Sequence, residues 1–287
     1  VRQVKCFVIG GGLMGSGIAQ TAAQAEMEVT VADVSQEALA KTREKISDSL
    51  HRLERKGKLA DASAVKERIG YQTDWAGISE ADLIIEAVPE NLALKQRVFK
   101  QLDESAAAGA LLASNTSCLS ITAIGAVTNR PENVVGMHFF SPVPMMPLLE
   151  VVKGRKTAKA TVERAAAIGE KLGKRVIIAQ KDYPGFLMNR IWLPMVNEAC
   201  YALMEGVGTP EDIDQGFVNG YGHKMGPLRT LDMAGLDVAL AAMEALYEGF
   251  GDPKYRPCPL LRNMVEAGEL GVKTGKGFYS YADDGGD

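Results

Sequence analysis

The stretch "CFVIGGGLMGSGIAQ", residues 6 to 20, constrains this chain more than any other. An apolar run leads into Gly10, Gly12 and Gly15 in GxGxxG spacing, and a helical pattern opens at once. In that context the glycines have mechanical meaning: a tight turn at Gly10, close approach of backbone to a pyrophosphate at Gly12, and close packing of helix on strand at Gly15. Leu13 and Met14 complete the cofactor loop, where helix N-terminal amides meet phosphate charge. The next apolar run, "EVTVAD", ends at Asp33, roughly 20 residues on, where a carboxylate accepts hydrogen bonds from the adenosine ribose. An acid there repels the extra phosphate of NADP, and no arginine follows directly in "DVSQEA". NAD is therefore the expected cofactor, with a flavin as the competing ligand.

Six apolar runs, "VKCFVIG", "EVTVAD", "ADLIIEAV", "GALLASN", "NVVGMHFF" and "RVIIAQKD", alternate with helical patterns. This predicts an α/β fold: an N-terminal Rossmann-type, mostly parallel sheet covered by helices. From about Tyr183 long helical stretches take over, broken at "GVGTPED", "GYGHKMGP" and "GFGDPKYRPCP", so an all-helical C-terminal domain is expected. The boundary falls at "KDYPGF", giving an NAD-binding domain over 1–183 and a helical domain over 184–287. The connection from Val34 to Ala81 is long, and residues 36–69 are charged and helix-favouring. They predict an inserted, projecting helical hairpin that turns near Gly57. Its segment "HRLERKGKL" sets Arg52, Arg55, Lys56 and Lys58 against a single acid, Glu54. By itself this reads as a solvated face as readily as a clamp for an anion.

A formal net charge of −4 argues against nucleic acid as the main partner. The four cysteines lie far apart without a CxxC pair, so neither a disulfide framework nor a zinc site is suggested. None of the three histidines sits at ligand spacing from another or from a cysteine, and no metal is expected. No apolar run approaches the roughly 18 residues that span a bilayer, so no membrane partner is expected. A cytoplasmic location follows, or the mitochondrial matrix if a targeting segment has been removed.

Ligands of open parallel sheets sit beyond the carboxyl ends of the strands. Several polar residues gather there: Asp33, then Glu86 and Glu90 around "EAVPE", then "SNTS", then His138. A dehydrogenase must take a hydroxyl proton as hydride leaves the same carbon, and imidazole, with an ordinary pKa near 6.5, suits that exchange. His138 is the expected general base. Glu150, after the apolar "PLL", is the expected carboxylate that fixes its tautomer. Pro142, Pro144 and Pro147 make the stretch between them a poor helix and a poor central strand, which predicts a loop folding Glu150 back. Ser117 is read either as a donor to a substrate hydroxyl or as part of a helix start. Met145 and Met146 are read as flexible acyl contacts or as core.

On these residues the sequence resembles the L-3-hydroxyacyl-CoA dehydrogenases, including the bacterial 3-hydroxybutyryl-CoA type. The resemblance runs through "GGGLMGSGIAQ", "EAVPENLALK", "ASNTSCLSIT", "GMHFFSPVPMMPLLEVV", "DYPGFLMNRIWLPMVNEA", "HKMGPLRTLDMAGLD" and "GVKTGKGFYSY". It implies NAD-dependent, reversible oxidation of a (3S)-3-hydroxyacyl-CoA in fatty acid or butanoate metabolism, by a homodimer whose helical domain serves substrate binding and dimerisation. It places the catalytic histidine on His138, its partner on Glu150, a substrate-contacting serine near the nicotinamide on Ser117 and a substrate-positioning asparagine on Asn189. NAD contacts fall on Glu90, Lys95 and Lys273, and coenzyme A contacts on Ser49 and Lys56, with Arg52 beside them. Ser141 stands where the family commonly has asparagine, a shorter side chain at a position expected to approach the cofactor. Val272 stands where a second lysine is frequent. One alternative on the same scaffold is a dehydrogenase of free hydroxy acids, of L-gulonate or 3-hydroxybutyrate type, for which Arg52, Arg55 and Lys56 have no evident use. The other is a protein that binds NAD without turnover, against which Ser117, His138, Glu150 and Asn189 together argue.

Overall fold

A computed structural model describes residues 3–281, which cluster into two compact units, the first ending at Asp182 and the second beginning at Tyr183. The strands of the first unit are β1 (Lys5–Ile9), β2 (Glu28–Ala32), β3 (Ile69–Gln72), β4 (Leu83–Glu86), β5 (Leu111–Ser114), β6 (Val134–Phe139), β7 (Leu148–Val152) and β8 (Arg175–Ala179). They form one sheet in the order β3-β2-β1-β4-β5-β6-β7-β8. β1 to β6 pair in parallel, β7 runs antiparallel to β6, and β8 is parallel to β7. The carboxyl ends of β1, β2, β4, β5 and β6 therefore share one edge of the sheet.

The six apolar runs each carry a strand, and β3 and β7 come from stretches that read otherwise. β3, "IGYQ", is short, contains a glycine and lies at the sheet edge, where polar residues are tolerated. It divides what the sequence presents as one long connection. β7 corrects the expectation for Glu150. The three prolines do break the chain into a loop, but all precede Leu148, and the strand starts directly after Pro147. Glu150 reaches His138 as a strand neighbour, with the two residues directly paired.

The α-helices among the described residues of this unit are α1 (Leu13–Gln24), α2 (Gln36–Arg55), α3 (Ala62–Lys66), α4 (Leu92–Ser105), α5 (Ile121–Gly125) and α6 (Lys159–Lys171). α1 is buried without a break from Gly15 to Ala23. α2 turns Leu39, Thr42, Ile46 and Leu50 inward, three and four residues apart, and leaves its charges in water. Ser35 caps it by accepting from the Ala38 amide. The expected hairpin is lopsided: beyond the turn at Gly57, α3 is only five residues long.

The second unit packs α7 (Met188–Met204), α8 (Pro210–Gln215), α9 (Pro227–Ala234), α10 (Leu236–Phe250) and α11 (Pro259–Glu266) around Leu193, Val196, Leu231, Leu240 and Leu261. Its last segment, residues 271–281, is fastened by a buried carboxylate. Asp232 accepts from the amides of Phe278 and Tyr279, both at 3.0 Å, and from the Tyr281 hydroxyl at 2.9 Å. Asp214 accepts from the Leu228 and Arg229 amides and the Tyr279 hydroxyl. Burial first, and then these carboxylates, push both tyrosine hydroxyls up, so they remain donors. No described helix is long and apolar enough to cross a membrane.

Asp232→Ala leaves two part-buried amides and a hydroxyl without their acceptor. The expected loss is on the order of 3 kcal/mol, read by denaturant unfolding, with faster tryptic cleavage at Lys273 and Lys276. An unchanged cleavage pattern would show that something other than this carboxylate holds the segment.

Candidate active site

The glycine loop is shaped by what surrounds it. Gly10 has φ +95°, and a Cβ there would lie 2.8 Å from the Ala87 carbonyl oxygen. At Gly15 a Cβ would collide with the carbonyl oxygen of Gly10, so this glycine fits the helix against its own loop rather than against a strand. A Cβ at Gly12 would meet no protein atom within 4 Å, which leaves open space over the backbone where a ligand must approach. Gly12 also caps α1 without any side-chain hydrogen bond, so the first amides of a 12-residue helix face that space. Leu13 beside them is exposed, while Met14 packs on the core. These residues fit a dinucleotide pyrophosphate.

Asp33 lies just past β2. Its carboxylate accepts from the Gly11 amide at 2.6 Å and the Val34 amide at 2.7 Å. It thus braces the glycine loop, which sequence reasoning missed, and an ionised carboxylate with two such bonds retains acceptor sites for a ribose. A second brace, also missed, is Thr42 of α2, whose hydroxyl donates to the Gly11 carbonyl at 2.8 Å.

Further along the edge, a polar chain runs across the ends of β4 and β5. Glu86 ends β4 and is fully buried. It accepts from Ser114 at 2.6 Å and, through its other oxygen, from the Val88 amide and the Lys95 ammonium, both at 2.7 Å. Lys95 is fully buried as well and reaches Glu90 at 3.3 Å. Its charge therefore meets two carboxylates. Glu90 accepts from the Thr116 hydroxyl at 2.6 Å, the Ser117 amide at 2.8 Å and the Ser117 hydroxyl at 3.2 Å. Burial works to raise the Glu90 carboxyl, but the Lys95 charge and these hydrogen bonds outweigh it and hold it below the usual range. Ser120 accepts from the Ala123 amide and caps α5, so the helix-start reading applies to that serine.

At the end of β6, His138 Nδ1 lies 2.9 Å from Glu150 Oε2, with the imidazole nearly and the carboxylate completely buried. The Phe140 ring sits 4.5 Å from the imidazole between centroids. Asn115 accepts from the Phe139 amide at 3.0 Å and fixes the backbone beside the histidine. The loop between β6 and β7 is pinned by Lys174, which donates to the Val143 and Met146 carbonyls and whose ammonium burial shifts down. Asn115 and Lys174 give no sequence signal, because each bonds to backbone far away in the chain.

The remaining candidates lie as follows. Ser49 is half-buried on α2, and Arg52 and Lys56 are exposed at its end; among the described residues no carboxylate pairs with Arg52, Arg55 or Lys56. Ser141 is exposed, three residues past His138. Met145 and Met146 are exposed rather than core, and border a groove of about 430 Å³ that none of the candidate site residues lines. On the second unit, Asn189 is half-buried in the first turn of α7, and Lys273 pairs with Asp237 at 2.5 Å. The four cysteines are free thiols.

Residues 5–183 match the family model of the 3-hydroxyacyl-CoA dehydrogenase NAD binding domain, and residues 185–281 that of the 3-hydroxyacyl-CoA dehydrogenase C-terminal domain. The chain belongs to the 3-hydroxyacyl-CoA dehydrogenase family. It is an oxidoreductase, and NAD is its cofactor. It is 48% identical over 283 residues to a probable 3-hydroxybutyryl-CoA dehydrogenase of Bacillus subtilis, covering 98% of each chain. It is likewise 48% identical over 279 residues to a probable 3-hydroxybutyryl-CoA dehydrogenase of Deinococcus radiodurans, covering 97% of this chain and all of the other. The crystal structure of an (S)-3-hydroxybutyryl-CoA dehydrogenase from Ralstonia eutropha superposes with a TM-score of 0.92 at 44% identity, over 98% of this chain and 100% of that one.

In this dehydrogenase Cys118 adjoins Ser117, with its sulfur 3.7 Å from Glu90. Burial first, then the Glu90 charge, pushes the Cys118 thiol up to about 11. A raised thiol pKa means little thiolate at neutral pH. Alkylation of Cys118 by iodoacetamide, followed by mass spectrometry, is therefore expected to be slow at pH 8 and to rise about tenfold per pH unit up to about 11. Glu90→Gln should accelerate it. Rapid labelling of Cys118 at pH 7 would show that the thiol does not feel this carboxylate.

Proposed function

We propose that the enzyme oxidises a short-chain (3S)-3-hydroxyacyl-CoA, such as 3-hydroxybutyryl-CoA, reversibly to the 3-ketoacyl-CoA, with His138 as general base and Glu150 as its partner. The observation that carries this reading is the buried 2.9 Å contact between His138 Nδ1 and Glu150. An ionised carboxylate only accepts, so Nδ1 keeps its proton and Nε2 is the nitrogen with the lone pair. Nε2 takes the C3 hydroxyl proton in the oxidative direction, and the Glu150 charge stabilises the imidazolium that results. In the reductive direction the imidazolium returns that proton to the ketone oxygen. Bound NAD supplies the acceptor for the C3 hydride.

Ser117, its hydroxyl set by Glu90, contacts the substrate oxygen. Gly10, Gly12, Leu13, Met14, Gly15 and Asp33 hold the dinucleotide, with Glu90 and Lys95 at the same strand edge. Since the Lys95 ammonium is enclosed by Glu86 and Glu90, its contribution to the cofactor passes through Glu90. Ser49, Arg52 and Lys56 suit the phosphates of coenzyme A, since cations not committed to carboxylates are available to an anion. Asn189 as substrate contact, Lys273 and Ser141 as cofactor contacts, and the 184–287 domain as the dimerising part of a homodimer, join this reading through the family pattern. The likeness to 3-hydroxybutyryl-CoA dehydrogenases supports the 3-hydroxybutyryl-CoA substrate.

The test is NADH oxidation with acetoacetyl-CoA beside free acetoacetate. Turnover of the thioester alone is expected, and His138→Ala should lower kcat by about 10²–10⁴-fold. Glu150→Gln should lower kcat with little change in the KM for NADH. Equal turnover of the free acid would return Arg52, Arg55 and Lys56 to a solvated face. Full activity in His138→Ala would remove the base.

A further inference from the structure

Glu86 takes no part in the reaction as derived, yet its carboxylate is fully enclosed at the cofactor edge of the sheet. Its side chain has no exposure, and each oxygen is engaged: one with the Val88 amide and the Lys95 ammonium, the other with the Ser114 hydroxyl. Lys95 has no exposure either, and it divides its ammonium between Glu86, the Val88 carbonyl at 3.2 Å and Glu90 at 3.3 Å. Two carboxylates thus share one cation, and the uncompensated charge faces outward through Glu90, the member of the trio that retains exposure.

Stability alone does not account for such a trio, because a buried ion pair is often no more stabilising than apolar residues of the same volume. Its place is informative. Ala87, next in the chain, has its carbonyl against Gly10 and its methyl beside Gly15, and its amide donates to the Ile9 carbonyl at 2.8 Å. Glu86 therefore anchors the segment that walls the glycine loop and, through Lys95, the carboxylate that holds Ser117.

We propose that Glu86 is a positioning residue for the cofactor: by sharing Lys95 with Glu90 it keeps the Glu90 carboxylate bonded to Ser117 and leaves one net negative charge beside the dinucleotide loop. This rests on the reading that Glu90 and Ser117 meet the nicotinamide end. The charge discriminates between cofactor forms. An oxidised nicotinamide ring is cationic and a reduced one neutral, so a nearby anion strengthens binding of NAD⁺ more than of NADH. With Glu86 neutral, Lys95 belongs wholly to Glu90, and that preference goes.

The experiment titrates Glu86→Gln with NAD⁺ by calorimetry and with NADH by fluorescence, without substrate, beside thermal unfolding. The expected result is roughly tenfold weaker NAD⁺ binding, against a change of about twofold or less for NADH. A fall in melting temperature with both forms weakened equally, or binding unchanged for both, overturns the proposal. Should the single variant fail to fold, Glu86→Gln/Lys95→Met removes both buried charges. Glu90 then keeps the one net negative charge of the wild-type trio, so a folded double variant is expected to retain the preference for NAD⁺ over NADH, and loss of that preference overturns the proposal. A failure of the proposed reaction would appear separately, as absent thioester turnover by the wild type with these titrations intact.

Discussion

A carboxylate stripped of water must be answered by donors in fixed places, and this sheet carries two such carboxylates, Glu86 on β4 and Glu150 on β7. Each dictates its surroundings. Glu150 requires a donor on the neighbouring strand and finds the His138 ring. Glu86 requires a cation and two further donors, and finds Lys95 on the first turns of α4, the Val88 amide and Ser114 on β5. Glu90, Ser117 and His138, the groups proposed to meet cofactor and substrate, hang from these two anchors.

The glycine loop depends on the same scaffold from the other side. Its backbone is held between Asp33, which takes the Gly11 amide, and Thr42, which supplies a donor to the Gly11 carbonyl. Thr42 belongs to α2, the helix that also carries Ser49 and Arg52. One rigid element therefore joins the cofactor loop to the basic arm assigned to coenzyme A, and the spacing between these two regions is fixed by a helix rather than by a loop.

Much of this could be read from residues alone. The glycine spacing, Asp33, the apolar runs and the residue pair at 138 and 150 all carry local signals: a turn that admits only glycine, a period of two, a carboxylate at a strand end. What could not be read has a common physical cause, since the information lies in partners distant in the chain. β7 was obscured because its acid breaks the apolar pattern and three prolines precede it, although a carboxylate is tolerated in a central strand once a neighbour answers it. β3 is too short and too polar to stand out from its flanking turns. Lys95 looks in sequence like a surface lysine on an amphipathic helix, and only the fold encloses it. Asn115, Thr42 and Lys174 act on backbone atoms, which no residue pattern reveals.

β7 has a further property. Four of its five residues, Leu149 to Val152, are buried on both faces of the sheet, so alternation of apolar and polar side chains does not tell the strand which register to adopt. A slip of one position would exchange Glu150 for an aliphatic side chain at nearly equal apolar cost. The residue able to distinguish the correct register from its neighbours is the carboxylate itself, through its imidazole. On the proposed mechanism, selection for strand assembly and selection for proton transfer thus fall on one side chain, and a lineage that lost the chemistry would still have reason to keep the glutamate.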